Sequence, residues 1–267
     1  MEVALAKLAF RRCLVVAVLL GLISVAHAAP DAASNVVTII IDGKPQNVLV
    51  VAPAAKPVAA VVMFPGGDGV IGITTSGSVA RPGNFLIRTR DKWLARGFLF
   101  VAVDAAAGRA GTIGDRVGPA NLRAIAEIVR AVRQRTPAPI WLVGTSAGAP
   151  AAVAGAASLP AGSIKGVVIS SPVSMPGGHD SVFDVPLARV SVPVLIQIHQ
   201  DDRCPVTPPA NAARIKAALT SAPVVDVQQF SGGSLPRSTA CEAFAQHGFF
   251  GIEDQVVTAA ANWIIAH

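Results

Sequence analysis

Residues 140–149 read Ile140-Trp141-Leu142-Val143-Gly144-Thr145-Ser146-Ala147-Gly148-Ala149. Four apolar residues between Pro139 and Gly144 predict a buried strand. The Ala-rich residues 147–159 predict a helix, and Pro150 lies in the early turn where a helix tolerates proline. A strand therefore passes directly into a helix, and a Gly-x-Ser-x-Gly pattern lies at the corner.

This corner suits a nucleophilic serine. A serine hydroxyl must be exposed, held rigidly and placed beside a base before it attacks efficiently. A sharp strand-to-helix turn exposes Ser146 and directs the N–H of Ala147, at the positive end of the helix, toward a developing oxyanion. The alternative is a chance match in a chain rich in Gly and Ala, but the flanking strand and helix favour catalysis.

In this context the sequence resembles the α/β-hydrolase family of serine hydrolases, and most of all its compact esterases and dienelactone-hydrolase-like members. The resemblance covers essentially all of residues 29–267. It implies a single domain with the α/β-hydrolase fold, which is a mostly parallel central sheet of about eight strands with helices on both faces.

The pattern along the chain agrees with that fold. Residues 36–41 and 48–51 flank a turn signal and predict an opening antiparallel hairpin. Apolar runs predict further strands at 58–64, 98–103, 166–171, 192–198 and 224–230, and helices are predicted at 84–95, 121–135, 210–219 and 253–265. Residues 172–191 are the only place for a lid, and their short length predicts an open, accessible site.

Residues 1–28 have the features of a secretory signal peptide. A basic region with Lys7, Arg11 and Arg12 precedes an apolar run of 13 residues, and Ala26-His27-Ala28 forms a cleavage signal. A bilayer span needs roughly 20 residues. We therefore expect cleavage after Ala28 and a periplasmic or secreted protein without a stable membrane anchor; an uncleaved signal anchor is the alternative.

Composition excludes several classes of partner. Removing 28 of the 267 residues lowers the net charge from +6 to +4, because that segment carries three basic residues and one acid. No basic stripe interleaves with aromatic residues, so we expect no nucleic-acid binding. Neither a Cys-x-x-Cys nor a His-Glu-x-x-His pattern occurs, so we expect no metal and no cofactor.

The two remaining cysteines suggest a disulfide. Cys13 lies in the signal segment, which leaves Cys204 and Cys241. An even pair in an oxidising compartment predicts a Cys204–Cys241 bond, whereas two unpaired buried thiols are the alternative.

The resemblance places a second oxyanion donor in the loop after strand 58–64. That loop reads Pro65-Gly66-Gly67-Asp68-Gly69. The family often has an H-G-G-like sequence here, whereas this chain has Pro65 in place of the histidine. The donor expected beside Ala147 is the backbone N–H of Gly67 or Asp68, and a plain glycine turn is the alternative.

The family carries its catalytic acid just past the strand predicted at 192–198. Asp202 is favoured by its spacing to Cys204 and the following Pro/Thr residues, and Asp201 is the alternative acid. Either aspartate also suits an N-cap or a turn. Asp104 ends an earlier strand and is expected to be structural, because it would violate the order Ser…Asp…His.

His247 is the expected base, because it lies between the last strand and the closing helix, where the family carries its histidine. His27 lies in the signal segment and His267 ends the chain. Of the other two, His199 is expected to pack near the site and His179 to lie in a solvated loop.

The resemblance therefore implies a Ser146–Asp202–His247 triad that hydrolyses carboxylic esters through an acyl-enzyme. The expected partner is a small-molecule ester or acyl substrate. Two alternatives remain open: a serine peptidase or amidase with the same triad, and a non-catalytic binding protein that retains the fold. We also expect the disulfide to hold the acid and histidine loops together.

Overall fold

The computed structural model describes residues 34–106, 115–175 and 180–267. The predicted signal peptide and His179 lie outside the described residues. The elements described below all belong to the unit that spans residues 31–267.

One eight-stranded sheet forms the centre, with the strand order β1-β2-β4-β3-β5-β6-β7-β8. The first two strands pair antiparallel, β2 pairs antiparallel with β4, and every other neighbouring pair is parallel. This confirms the predicted sheet and its opening hairpin. The strands are β1 (Ser34–Ile41), β2 (Lys44–Val51), β3 (Ala59–Phe64), β4 (Phe98–Val103), β5 (Ile140–Thr145), β6 (Gly166–Ser170), β7 (Val194–His199) and β8 (Val225–Phe230).

Helices cover both faces of the sheet, as predicted. They are α1 (Phe85–Arg88), α2 (Arg90–Ala95), α3 (Pro119–Arg133), α4 (Ala149–Ser158), α5 (Ala212–Ala218) and α6 (Glu253–Ala266). In β3, Val62 and Phe64 pack on the side of α3, α4 and α5, whereas Val61 and Met63 pack on the side of α1, α2 and α6. Alternate side chains of a strand point to opposite faces, so a continuously apolar strand supplies two cores.

Two predicted helices differ in detail. The helix expected at 84–95 is divided at Thr89, whose hydroxyl donates to the carbonyls of Phe85 and Leu86. Such side-chain bonds to the preceding turn compete with regular helix geometry. The helix expected at 210–219 begins at Ala212, after a 3₁₀ turn at Pro209–Asn211.

The described part of the expected lid segment packs against the domain core. Val182, Leu187 and Val190 are buried in the cluster that includes α4. Among the residues that the structure describes, no helix has the length and apolarity required to cross a bilayer.

Candidate active site

Ser146 lies at a sharp turn between β5 and the 3₁₀ turn that leads into α4. Its φ of 52° is in the left-handed region, which non-glycine residues seldom adopt and which is concentrated at functional sites. The turn packs tightly on β3: a Cβ on Gly148 would lie 1.9 Å from the carbonyl oxygen of Phe64, and one on Gly144 would lie 2.5 Å from the carbonyl oxygen of Gly148. The spacing of the two glycines is therefore a packing requirement.

Asp202 and His247 are hydrogen-bonded to each other. The distance between Asp202 Oδ2 and His247 Nδ1 is 2.9 Å, and both side chains are buried. Because a carboxylate only accepts hydrogen bonds, Nδ1 carries a proton, and in the neutral imidazole Nε2 is then the nitrogen with the free lone pair. The imidazole is thus held in the tautomer that a general base requires.

Asp201 has a different environment from its neighbour. Its side chain is exposed and accepts a hydrogen bond from Gln200, while its backbone N–H donates to Nδ1 of His199 at 3.1 Å. Nε2 of His199 is 3.0 Å from the carbonyl oxygen of Gly232. Hence Asp202, and not Asp201, contacts His247.

Thr207 also belongs to the Asp202–His247 pair. Its hydroxyl oxygen is 2.9 Å from Asp202 Oδ2 and 3.2 Å from His247 Nδ1. The other carboxylate oxygen, Oδ1, accepts the backbone N–H of Cys204 at 2.9 Å. These donors orient the carboxylate toward the imidazole. The sequence analysis assigned no role to Thr207, and only the Pro/Thr residues noted after Asp202 pointed to this segment.

Two residues from other parts of the chain form hydrogen bonds with the backbone of the histidine loop. Ser171 Oγ donates to the carbonyl of His247 at 2.9 Å, and Arg88 donates to the carbonyl of Gly248 at 2.6 Å. Burial lowers the pKa of the Arg88 guanidinium, and the nearby Glu253 carboxylate partly opposes this shift. Sequence reasoning missed both residues, since Arg88 lies 160 positions from Gly248.

The predicted disulfide is confirmed. Cys204 and Cys241 are bonded, with a sulfur–sulfur distance of 2.07 Å. Cys204 lies two positions after Asp202, and Cys241 lies six positions before His247. The bond therefore ties the loop of the acid to the segment that carries the histidine.

An open cleft of about 650 Å³ brings these loops together. Ser146 and His247 both line it, and its remaining walls come from the loop after β3, the start of α1 and the segment before His247. Within the described residues, none of the expected lid segment lines this cleft. The lining residues outside the catalytic candidates are Gly66, Gly67, Asp68, Val70, Ile71, Arg81, Asn84, Phe85, Thr145, Ser238, Cys241, Glu242, Ala243, Phe244 and Gly248.

The loop after β3 lies directly against Ser146. A Cβ on Gly66 would be 2.9 Å from Ser146 Cβ, so only glycine allows this approach. Within the described parts of the chain, the backbone N–H groups of Gly67 and Asp68 donate to no protein atom. Both groups therefore have no acceptor among the described residues, and both belong to the loop whose Gly66 contacts Ser146.

Charged side chains form hydrogen bonds with the backbone at both ends of this loop. Arg116 donates to the carbonyl of Gly67 at 2.9 Å. Burial lowers the pKa of Arg116, and the charges of Asp68 and Asp180 oppose that shift. Asp104 accepts hydrogen bonds from four backbone N–H groups and thereby fixes the next part of the loop; the donors are Ile71, Gly72, Ile73 and Ala105.

Besides His247, the histidines within the described ranges are His199 and His267, and neither lines the cleft. His199 is buried between Gly232 and Asp201, and the ring of His267 stacks on Trp263 at 4.4 Å. In the ranges that the structure describes, no three His, Cys, Asp or Glu side chains are grouped so that they could hold a metal ion.

Comparisons with known proteins give matches among solved structures only. No protein-family profile matches the chain, and no curated protein sequence matches it. A dienelactone hydrolase from Anabaena variabilis is 15% identical, with a TM-score of 0.64 over 89% of this chain and 99% of that one. An α/β serine hydrolase homologue from Coxiella burnetii is 17% identical, with a TM-score of 0.60 over 85% and 96% of the two chains.

A peptidase has the same architecture within a longer chain. The dipeptidyl peptidase 4 of Porphyromonas gingivalis is 14% identical, with a TM-score of 0.61 over 89% of this chain and 36% of that one. Identities this low are informative about architecture and not about substrate. Together with the strand order described above, these similarities show that the chain has the α/β-hydrolase fold.

Proposed function

We propose that this protein is a serine hydrolase that cleaves carboxylic esters, with Ser146 as nucleophile, His247 as base and Asp202 as the acid that orients the base. One observation carries the proposal. A serine in a left-handed turn and a buried, carboxylate-bound histidine line the same open cleft.

The proposed reaction is acyl transfer through Ser146. Ser146 Oγ attacks the ester carbonyl carbon and transfers its proton to His247 Nε2, while Asp202 stabilises the imidazolium. The N–H of Ala147 and that of Gly67 or Asp68 bind the oxyanion. The intermediate collapses to an acyl-enzyme and the alcohol leaves with the proton from Nε2. Water then attacks the acyl carbon by the same route, which releases the acid and restores Ser146.

The first test is covalent labelling of the mature protein with a fluorophosphonate probe, followed by intact mass. We expect one adduct on the wild type and none on Ser146→Ala. Ser238→Ala removes the other serine that lines the cleft and should be labelled like the wild type. A folded wild-type protein that takes up no probe would favour a binding protein without activity.

Matched substrates separate an esterase from a peptidase. We expect p-nitrophenyl acetate to be hydrolysed with a kcat/KM far above that of p-nitroacetanilide, which has the same acyl group in an amide. The similarity to a dipeptidyl peptidase fold makes this comparison necessary. Faster cleavage of the amide would replace the esterase proposal with the peptidase one.

We also propose that the protein is exported and that residues 1–28 are removed. The disulfide supports this proposal, because such bonds persist mainly in oxidising compartments. In a bacterial host with a periplasm, N-terminal sequencing should give Ala29 as the first residue of the exported form. The variant Ala28→Arg should retain the leader. Recovery of uncleaved wild-type protein from the cytosol would contradict the proposal.

A further inference from the structure

Phe244 presents an aromatic ring to the candidate active site. The residue is 38% exposed and lines the cleft, where the buried Phe85 also contributes. Single exposed apolar residues are common and by themselves carry no meaning. Leu235, which is 87% exposed on the same segment, does not line the cleft and provides a contrast.

The Phe244 ring is held in place before any substrate arrives. It packs edge-on against Phe250 with a centroid distance of 5.5 Å and an interplanar angle of 90°. A Cβ on Gly83 would lie 2.9 Å from Phe244 Cε2, so the glycine permits a close approach of backbone and ring. A surface fixed in this way loses little conformational entropy when a ligand binds to it.

A cation lies over the same ring. The Arg88 guanidinium carbon is 5.2 Å from the Phe244 centroid, and the Arg88 side chain is only 14% exposed. This cation–π contact adds to the edge-on packing against Phe250 and helps to hold the ring. The exposed part of the ring is therefore presented in a fixed orientation, which suits stacking of another aromatic group.

The charges around the cleft do not favour an anionic group. Among the described lining residues, Arg81 is the only arginine or lysine, and it is hydrogen-bonded to both carboxylate oxygens of Asp68 at 2.8 and 3.0 Å. Glu242 adds a further carboxylate to the lining. These carboxylates would repel a negatively charged substituent, whereas they would not repel an uncharged one.

On the basis of the proposed esterase function, we propose that Phe244 is a specificity-determining residue whose exposed ring binds an uncharged aryl group of the ester substrate. The cleft of about 650 Å³ has room for such a group beside the scissile bond. The substrate class is thus esters with a neutral aromatic ring in either the acid or the alcohol part.

The test compares esters that differ only in the ring, by following acid release in a pH-stat. One series is benzyl, cyclohexylmethyl and ethyl acetate, and the other is ethyl phenylacetate, cyclohexylacetate and acetate. In at least one series the wild type should prefer the phenyl ester over its cyclohexyl analogue by about tenfold in kcat/KM. Phe244→Ala should lose this preference and Phe244→Trp should keep it.

Further variants separate recognition from folding. Leu235→Ala changes an apolar side chain of the same segment outside the cleft and should keep the preference. Gly83→Ala displaces the ring without removing it and should weaken the preference. A Phe244→Ala enzyme with an unchanged phenyl-to-cyclohexyl ratio, or a wild type without such a preference, would overturn the inference while the hydrolase function stands. Absence of both ester hydrolysis and fluorophosphonate labelling would overturn both.

Discussion

Arg88 donates a hydrogen bond of 2.6 Å to the carbonyl of Gly248, the residue that follows His247. The same guanidinium donates to the carbonyl of Gly83 at 3.0 Å and pairs with Glu253 at 3.0 Å. One side chain of α1 therefore connects the residue before the start of the α1 cap, the histidine loop and the start of α6.

Replacing Arg88 should damage both stability and catalysis. Arg88→Met leaves Glu253 and two carbonyls without their donor, and Arg88→Lys supplies fewer donors in the wrong geometry. We expect a loss of about 1–3 kcal/mol in the free energy of unfolding for the Met variant. Urea denaturation and kcat measure the two effects. Arg90→Met, at the exposed pair with Asp91, is the control, and equal behaviour of the two variants would contradict this role.

Thr207 should act through the Asp202–His247 pair. Thr207→Val keeps the shape but removes the hydroxyl that donates to Asp202 Oδ2, so the carboxylate loses an orienting hydrogen bond. We expect kcat to fall about tenfold with little change in KM, since a hydrogen bond to a charged group contributes about 1.5–3 kcal/mol. Thr207→Ser should recover most of the rate. Full activity of the Val variant would show that the backbone alone orients Asp202.

The disulfide should stabilise the fold and the geometry of the site. Its sequence separation is 37 residues, and closing such a loop stabilises a protein by about 3–4 kcal/mol in the chain-entropy model. The double variant Cys204→Ser/Cys241→Ser should unfold at lower urea concentration and show a reduced kcat. If the variant is less stable but retains full kcat below its transition, the bond does not position His247.

Asp254 should make a contribution to the free energy of unfolding that is lost in acid. A hydrogen bond from Arg96 is the main cause that lowers the pKa of this carboxyl, and Lys92 acts in the same direction. A lowered pKa in the folded state stabilises it above the ordinary carboxyl value of 3.8, and this stabilisation is lost as the pH falls through the lowered value. Urea midpoints at pH 7 and pH 3 should therefore differ less for Asp254→Asn than for the wild type. Asp91→Asn is the control, and an identical difference in the wild type and Asp254→Asn would refute the prediction.

The sequence alone determined those features that depend on neighbouring residues. Apolar runs such as 98–103 become buried strands because both of their faces must leave water. Within the Gly-x-Ser-x-Gly corner, Gly144 must be glycine because a Cβ there would lie 2.5 Å from the carbonyl oxygen of Gly148. The helix expected at 84–95 is divided in the structure because the Thr89 hydroxyl bonds back to the preceding turn, and the helix expected at 210–219 begins two residues later than predicted.

Only the tertiary structure decided which side chains surround the candidate triad. The sequence favoured Asp202 but left Asp201 as an alternative, and the direction of the chain after β7 buries Asp202 beside His247 and exposes Asp201. Arg88, Ser171 and Phe244 reach the site through contacts between segments far apart in the chain, and the separation of 76 positions between Ser171 and His247 is an example. The local sequence pattern does not predict such contacts, because they depend on how the sheet and its loops pack and not on which residues are neighbours in the sequence.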